Sequence, residues 1–240
     1  RTIKATNERI LARLSCIQTP VGTIGTKKGI RILSQAFGGV NKAVPPAACK
    51  SLFALLKKNE ASQVSPVILA AIMREDEITT LTLADEAATA HLAATLCAAL
   101  LAHAPALRET GFNLRLEGNL GAGKTTFTRA LLRAAGFAGR VKSPTFELVT
   151  DYDLTDGITL HHFDFYRFED PQEFDDAGFR DLFGAGNVCV SEWSEKAEPL
   201  LPAADLVIEL TPETPLSRTA KMTATTELGH RVLKKVQVTP

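Results

Sequence analysis

An α/β sandwich, in which helices flank a central mixed β-sheet, is the architecture favoured by this 240-residue sequence, and three observations support it. Strand-like and helix-like patterns alternate from about residue 79 onward. A glycine-rich run, GNLGAGKT at 118–125, joins a strand pattern to a helix pattern. The composition, 45% hydrophobic and 22% charged, is typical of a globular protein. We therefore assign residues 76–240 to one α/β domain and consider residues 1–75 separately.

The elements of this domain follow one another in a regular order. Alternating or apolar runs predict strands at residues 79–83, 112–118, 146–154, 158–168, 187–193, 204–210 and 217–226, the last as an edge strand. A helix is predicted from about residue 85 to 104, and Pro105 helps to stop it. Further helices are predicted from 125 to 136, ending at Gly136, in the segment that Asp170 caps, and from 227 to 236. Such an alternation predicts helices packed against a largely central sheet.

GNLGAGKT fits the phosphate-binding pattern G-x-x-x-x-G-K-[ST]. Glycines in such a loop let backbone N–H groups turn toward phosphates, and the following helix N-terminus adds positive potential. Lys124 can reach the β- and γ-phosphates, and the Thr125 hydroxyl can ligate Mg²⁺. The pattern therefore predicts a P-loop NTPase-like domain that binds a nucleoside triphosphate.

Two downstream acids are candidates to complete this site. Glu192 directly follows the apolar residues of the strand VCVSE, where a magnesium-binding acid is expected. Asp164 shares a predicted strand face with His162 and Tyr166, which fits a site, although a solvated strand face is the alternative. Because adjacent residues of a strand point to opposite faces, His161 and His162 do not predict a two-histidine metal site.

The loop KSPTF at 142–146 has two interpretations. Ser143 and Thr145 could contact the γ-phosphate or its magnesium, as switch loops do, or Pro144 could simply enforce a turn. The sequence leaves these two interpretations open.

Five runs of this sequence resemble the TsaE (YjeE) family in their order and spacing, over roughly residues 79–235. They are LEGNLGAGKTTFTRALL, VKSPTFELV, HHFDFYR, the SEW at 191–193 and LLPAADLVIEL. The resemblance implies a weak, partner-dependent ATPase with ATP and Mg²⁺ as cofactors. It implies that the chain supports turnover of TsaB- and TsaD-like partners in forming N6-threonylcarbamoyladenosine at adenosine 37 of tRNA. Contact with tRNA would then be indirect, through the complex, and the expected location is the cytoplasm.

The resemblance also implies roles for particular residues. It makes Lys124, Asp164 and Glu192 catalytic, and it places Mg²⁺ on Thr125 and Glu192. The implied nucleotide-binding residues are Gly118, Leu120, Gly121, Ala122, Gly123, Lys124, Thr125, Thr126 and Thr145, with Thr89 (or Glu86) and Arg218 as the nearest matches to contacts elsewhere in the family. Asn119 departs from the family's usual Asp, and Ser191 replaces its usual aliphatic residue.

Charge and cysteine content bound the remaining possibilities. Net charge is zero, but residues 1–73 hold 11 of the 27 Lys/Arg and two of the 27 Asp/Glu, about +9 there and about −9 in the rest. The basic segment is interpreted as a poorly ordered extension, an accessory helical module touching nucleic acid, or a targeting peptide. Four widely spaced cysteines, Cys16, Cys49, Cys97 and Cys189, predict neither disulfides nor a zinc site, and no apolar run is long enough to span a bilayer.

Two other functions remain open from the sequence, and a third is disfavoured. A P-loop small-molecule kinase would share the loop and its helix, but no Arg-rich lid is visible. A GTPase is disfavoured because a base-reading N-K-x-D is missing downstream of the loop. A nucleic-acid-binding module would use the basic residues 1–75, with the nucleotide as a switch.

Overall fold

A seven-stranded mixed sheet organises the part of the chain that the computed structural model describes, residues 77–155 and 157–238. The strands are β1 (Glu77–Leu83), β2 (Phe112–Glu117), β3 (Val149–Asp153), β4 (Thr159–Asp164), β5 (Asn187–Glu192), β6 (Leu206–Pro212) and β7 (Arg218–Ala224). The helices are α1 (Glu86–Leu101), α2 (Ala104–Thr110), α3 (Lys124–Ala134), the single turn α4 (Glu173–Asp176) and α5 (Glu227–Val238). Short 3₁₀ turns occupy Phe179–Leu182 and Ser194–Lys196.

The strand order β1-β7-β6-β2-β5-β4-β3 has a parallel centre and antiparallel edges. Strands β6, β2, β5 and β4 are parallel, whereas β7, β1 and β3 join antiparallel. The carboxyl ends of β2, β5 and β4 therefore meet at one edge of the sheet, where ligands bind in open α/β sheets. There the register pairs Leu116 with Glu192, and Glu192 with Asp164.

Two apolar clusters cover the two faces of the sheet. On one face, Phe112, Leu114 and Leu116 are buried with the helices, and α1 packs against both α3 and α5. Because α1 lies under other elements, its apolar residues continue around much of its circumference, including the fully buried Ala93 and Leu96. On the other face, phenylalanines from β4 and the segment after it form a second cluster with Cys189 and Leu201: Phe163, Phe165, Phe168, Phe174 and Phe183.

The predicted α/β sandwich with a central mixed sheet is confirmed, and the predicted strands and helices are all present, with three corrections. Pro105 does not stop the first helix: α1 ends at Leu101, and Pro105 lies in the first turn of α2, where its missing N–H is not needed. Strand β7 is not an edge strand, because it pairs with both β6 and β1. Strand β4 ends at Asp164 rather than 168, because the Asp164 carboxylate accepts the N–H of Tyr166 at 3.0 Å and closes a turn.

The predicted extension at residues 1–75 lies outside the described residues, so its boundary and its role stay predictions. Within the described ranges, no single helix is long and apolar enough to cross a membrane. Helices α1 and α2 reach that length and hydropathy only as a pair, bent by 75°.

Candidate functional site

The loop between β2 and α3 has a backbone that its glycines make possible. Gly118 has φ 133°, and a Cβ there would clash with the carbonyl oxygen of Leu210 in β6. Gly121 has φ 79° at the exposed part of the loop, where a Cβ would meet no atom. Gly118 is thus required for close approach to β6 and Gly121 only for its left-handed conformation.

Lys124 begins α3 with its side chain folded back into this loop. Its Nζ donates to the carbonyl oxygens of Gly118 and Asn119, the latter at 3.1 Å, and lies 4.1 Å from the centroid of the Trp193 ring. Burial lowers the pKa of Lys124, and the neighbouring carboxylates, led by Glu192, oppose that shift. The ammonium is therefore held inside the loop by neutral acceptors and an aromatic face.

Thr125 and Glu192 meet across the carboxyl edge of the sheet. The Thr125 hydroxyl donates to the Glu192 carboxylate, 2.9 Å from Oε1 and 3.2 Å from Oε2. Glu192 is the last residue of β5 and is only 3% exposed. On its other side, Oε1 lies 2.8 Å from Nε2 of the fully buried His162. The sequence resemblance predicted Thr125 and Glu192 as magnesium ligands, but it did not predict the contact between Glu192 and His162.

Asp164 lies beside Glu192 and organises the KSPTF loop. Its Oδ2 accepts hydrogen bonds from the hydroxyls of Ser143 and Thr145, the latter at 2.7 Å. Its Oδ1 accepts the Tyr166 N–H. Pro144 is part of a turn, since its carbonyl accepts the N–H of Leu148, so the turn interpretation holds. Contact of Ser143 and Thr145 with a phosphate or its magnesium stays a prediction. The two hydroxyls face the Asp164 carboxylate beside the phosphate loop.

Trp193 covers the site from the residue after Glu192. It is one of two non-glycine residues with positive φ among the described residues, at 57°. Its ring contacts Lys124 and packs against the Tyr166 ring, with 5.0 Å between the centroids. Tyr166 is exposed and lies beyond the end of β4, so it does not share a strand face with His162 and Asp164 as predicted. A left-handed tryptophan is costly, so the surrounding contacts hold it in place. The EW pair in the sequence is the signal that marked it.

Of the remaining predicted nucleotide contacts, Arg218 lies beside the phosphate loop and the others lie within the loop or at the start of α3. Arg218, at the start of β7, lies against Gly123, and its Nη1 is 3.5 Å from the Ala122 carbonyl. Leu120 is 80% exposed at the tip of the loop. The other loop residues line the same turn and the start of α3: Gly121 is exposed, Ala122 is buried, and Gly123, Thr125 and Thr126 are half-buried.

Thr89 is not placed as the sequence suggested. The side chain is fully buried within α1, and its hydroxyl donates to the Asp85 carbonyl at 3.1 Å. Because it presents no surface to the loop in this conformation, Thr89 is not supported as a nucleotide contact. The alternative, Glu86, is exposed in the first turn of the same helix. The start of α1 is on the loop side of the sheet, since Leu83 pairs with Arg218.

The residues present fit a magnesium ion that accompanies phosphates. Mg²⁺ is usually bound by one or two carboxylates together with substrate phosphates and water, not by an all-protein cage. A hydroxyl and a carboxylate in contact, Thr125 and Glu192, provide such a partial set beside the loop. The described residues contain no group of three or more His, Cys, Asp or Glu side chains arranged to hold a metal.

Comparison with known proteins agrees with this geometry. A family model described as threonylcarbamoyl adenosine biosynthesis protein TsaE matches residues 83–220. The tRNA threonylcarbamoyladenosine biosynthesis protein TsaE of Haemophilus influenzae is 41% identical over 125 residues, which are 52% of this chain and 78% of that protein. The Bacillus subtilis protein of the same name is 42% identical over 104 residues, 43% of this chain and 63% of that protein.

Among solved structures, the crystal structure of Bacillus subtilis YdiB aligns with a TM-score of 0.51 and covers 68% of this chain and 97% of that one. At 24% identity this likeness supports the P-loop NTPase-like fold alone. The resemblance carried by the loop, SPTF, HFD and EW motifs is confirmed by the family model and by the relatives. The chain therefore belongs to the TsaE family of threonylcarbamoyladenosine biosynthesis proteins.

Proposed function

We propose that this protein is a P-loop ATPase that binds ATP with Mg²⁺ and acts with TsaB- and TsaD-like partners to support N6-threonylcarbamoyladenosine formation on tRNA in the cytoplasm. The observation that carries the proposal is the contact between Thr125, at the start of α3, and Glu192, at the end of β5, beside the phosphate loop. Family membership adds the pathway, because the relatives are named for this tRNA modification.

Phosphate binding rests on the loop and on Lys124. The N-terminus of α3 can offer backbone N–H groups to an anion, and the Lys124 ammonium lies in the same loop, against the Gly118 and Asn119 carbonyls. Phosphate oxygens are stronger acceptors than the Gly118 and Asn119 carbonyls that Lys124 contacts, so bound phosphate would draw the ammonium away from them. Magnesium held by Thr125 and Glu192 would neutralise charge on the phosphates.

Asp164 is the second acid that the proposal uses. Its carboxylate is fixed by two hydroxyls and one N–H and is only 3% exposed. A carboxylate held in this way can accept a hydrogen bond from the attacking water and orient it toward the γ-phosphate. Ser143 and Thr145 then act through Asp164, because both hydroxyls already donate to it.

Slow turnover by the isolated chain is expected, because the arginines near the site are already engaged by other groups of the chain. Among the described arginines, Arg218 contacts the loop at the Ala122 carbonyl, Arg167 lies over the Phe146 ring, and Arg180 pairs with Asp175. An arginine brought to the transferring phosphoryl group commonly supplies a large part of catalysis in this class of enzyme. We therefore propose that the partners raise the hydrolysis rate.

Asp164→Asn and Glu192→Gln test the site, with Asp153→Asn on the exposed end of β3 as a matched control. In the presence of the partner proteins we expect both site variants to lower Mg²⁺-dependent ATP hydrolysis at least tenfold. The control variant should hydrolyse ATP like the unaltered chain. If both site variants also retain full activity, the site assignment is wrong. Transfer of phosphate to a small-molecule acceptor faster than hydrolysis would instead support the kinase alternative.

A further inference from the structure

His162 is a buried titratable side chain in the site to which the proposed function gives no role. It lies on β4, two residues before Asp164, and its side chain is fully buried. Nε2 is 2.8 Å from Oε1 of Glu192, whose side chain is itself only 4% exposed. The contact joins two neighbouring parallel strands at the place where the proposed magnesium ligand lies.

The direction of this hydrogen bond is fixed by its surroundings. An ionised carboxylate can only accept, so Nε2 of His162 carries the proton and donates. The other ring nitrogen, Nδ1, is buried and has no hydrogen-bond partner among the described residues. A proton on Nδ1 would be buried without an acceptor, which favours the tautomer that carries its proton on Nε2.

The contact with His162 also makes the two carboxylate oxygens of Glu192 different in their hydrogen bonding. Oε1 accepts from His162 at 2.8 Å and from Thr125 at 2.9 Å, while Oε2 has only the longer 3.2 Å contact with the Thr125 hydroxyl. A carboxylate has about four acceptor positions, so Oε2 keeps the greater unused capacity. The imidazole thus orients the carboxylate with Oε2 available for a cation.

We propose that His162 is a positioning residue that holds the Glu192 carboxylate in the orientation needed to ligate Mg²⁺. This inference rests on the proposed function, because it takes Glu192 as the magnesium ligand. Hydrogen-bond partners of ligating carboxylates contribute substantially to metal sites, and their removal typically costs about 10- to 100-fold in metal affinity or activity.

His161, the neighbouring residue on β4, provides a matched control. It is also a buried histidine bonded to one carboxylate, with Nδ1 2.7 Å from Oδ1 of Asp151. The Asp151 side chain is 59% exposed and lies on β3, and the alternation of the strand directs His161 to the face opposite His162. Substitution of either histidine removes a buried imidazole, but of the two histidines it is His162 that contacts Glu192.

The test measures the Mg²⁺ dependence of binding of a fluorescent ATP analogue by the full chain, with His162→Ala, His162→Gln and His161→Ala. In EDTA we expect all variants to bind the analogue like the unaltered chain, because the loop and Lys124 are intact. The Mg²⁺ concentration at half-maximal enhancement of binding should rise at least tenfold in His162→Ala. Glutamine can place an amide N–H near the former Nε2, so His162→Gln should recover most of the loss. His161→Ala should need no more Mg²⁺ than the unaltered chain.

A long-range ¹H–¹⁵N NMR spectrum provides a second measurement that requires no substitution at His162. The unaltered chain should show His162 as the Nε2–H tautomer, and Glu192→Gln should shift the Nε2 resonance while leaving His161 in place. Unchanged Mg²⁺ dependence in folded His162→Ala, or no recovery in folded His162→Gln, would overturn the proposal. So would protonation of Nδ1 in place of Nε2.

The two proposals fail in different ways. If the unaltered chain shows no Mg²⁺-enhanced nucleotide binding and Glu192→Gln changes nothing, the proposed function itself is wrong. If Glu192→Gln abolishes the Mg²⁺ enhancement and His162→Ala does not alter it, only the positioning role is wrong.

Discussion

Replacing Gly118 by Ala tests whether the phosphate loop depends on its close approach to β6. At φ 133° an alanine is strained, and its Cβ would clash with the Leu210 carbonyl oxygen and lie 2.9 Å from the Ala122 Cβ. Strain of this kind costs about 1–3 kcal/mol, and a backbone oxygen cannot move aside as a flexible side chain can. We expect Gly118→Ala to lose about 3 kcal/mol of unfolding free energy.

Gly121→Ala is the matched control, because it adds the same methyl group to the same loop. Gly121 also has positive φ, at 79°, but its Cβ would meet no atom within 4 Å. Its expected cost is the left-handed conformation alone, about 1–2 kcal/mol. Urea denaturation followed by circular dichroism gives both values, and binding of a fluorescent ATP analogue reports on the loop. If Gly118→Ala is no less stable than Gly121→Ala, the loop does not require the contact with Leu210.

Three further predictions concern buried groups. Burial lowers the pKa of Lys124, so between that lowered pKa and 10.5 the unfolded chain binds a proton that the folded chain does not. The free energy of unfolding, relative to that of Lys124→Met, should therefore rise with pH across this interval. Urea denaturation at several pH values measures it. Burial raises the pKa of the Cys97 and Cys189 thiols, so alkylation at pH 8 should label neither before unfolding, as checked by peptide mass mapping. Phe174→Ala should cost about 3–5 kcal/mol because the ring is fully buried, whereas Phe146→Ala, at a 78% exposed position, should change stability by less than about 0.5 kcal/mol in the same denaturation assay.

Local patterns in the sequence were sufficient to predict the parts of the site that lie next to one another along the chain. The strand, glycine loop and helix around Lys124 are contiguous, and Glu192 is the last residue of the largely apolar strand β5. In both cases one periodic signal and one special residue type determine the local structure. These elements are present where they were predicted.

Contacts between distant segments could not be predicted in the same way. The bond from His162 to Glu192 depends on parallel pairing of β4 with β5, and periodicity does not define which strands pair. Thr89 is buried in α1, which packs against α3 and α5, although the family resemblance suggested it as a nucleotide contact. Pro105 looked like a helix end because a proline is equally suited to the first turn of a new helix.

The most direct test of the central claim is formation of N6-threonylcarbamoyladenosine on tRNA over many turnovers, in a reaction reconstituted with TsaB- and TsaD-like partners and quantified by nucleoside mass spectrometry. With the unaltered chain, we expect modified adenosine to accumulate well beyond one equivalent of the partner complex. With Glu192→Gln, which keeps the size of the side chain but removes its charge, we expect accumulation to stop near one equivalent. Equal accumulation with the two proteins would contradict the claim that the Thr125 and Glu192 site drives this modification.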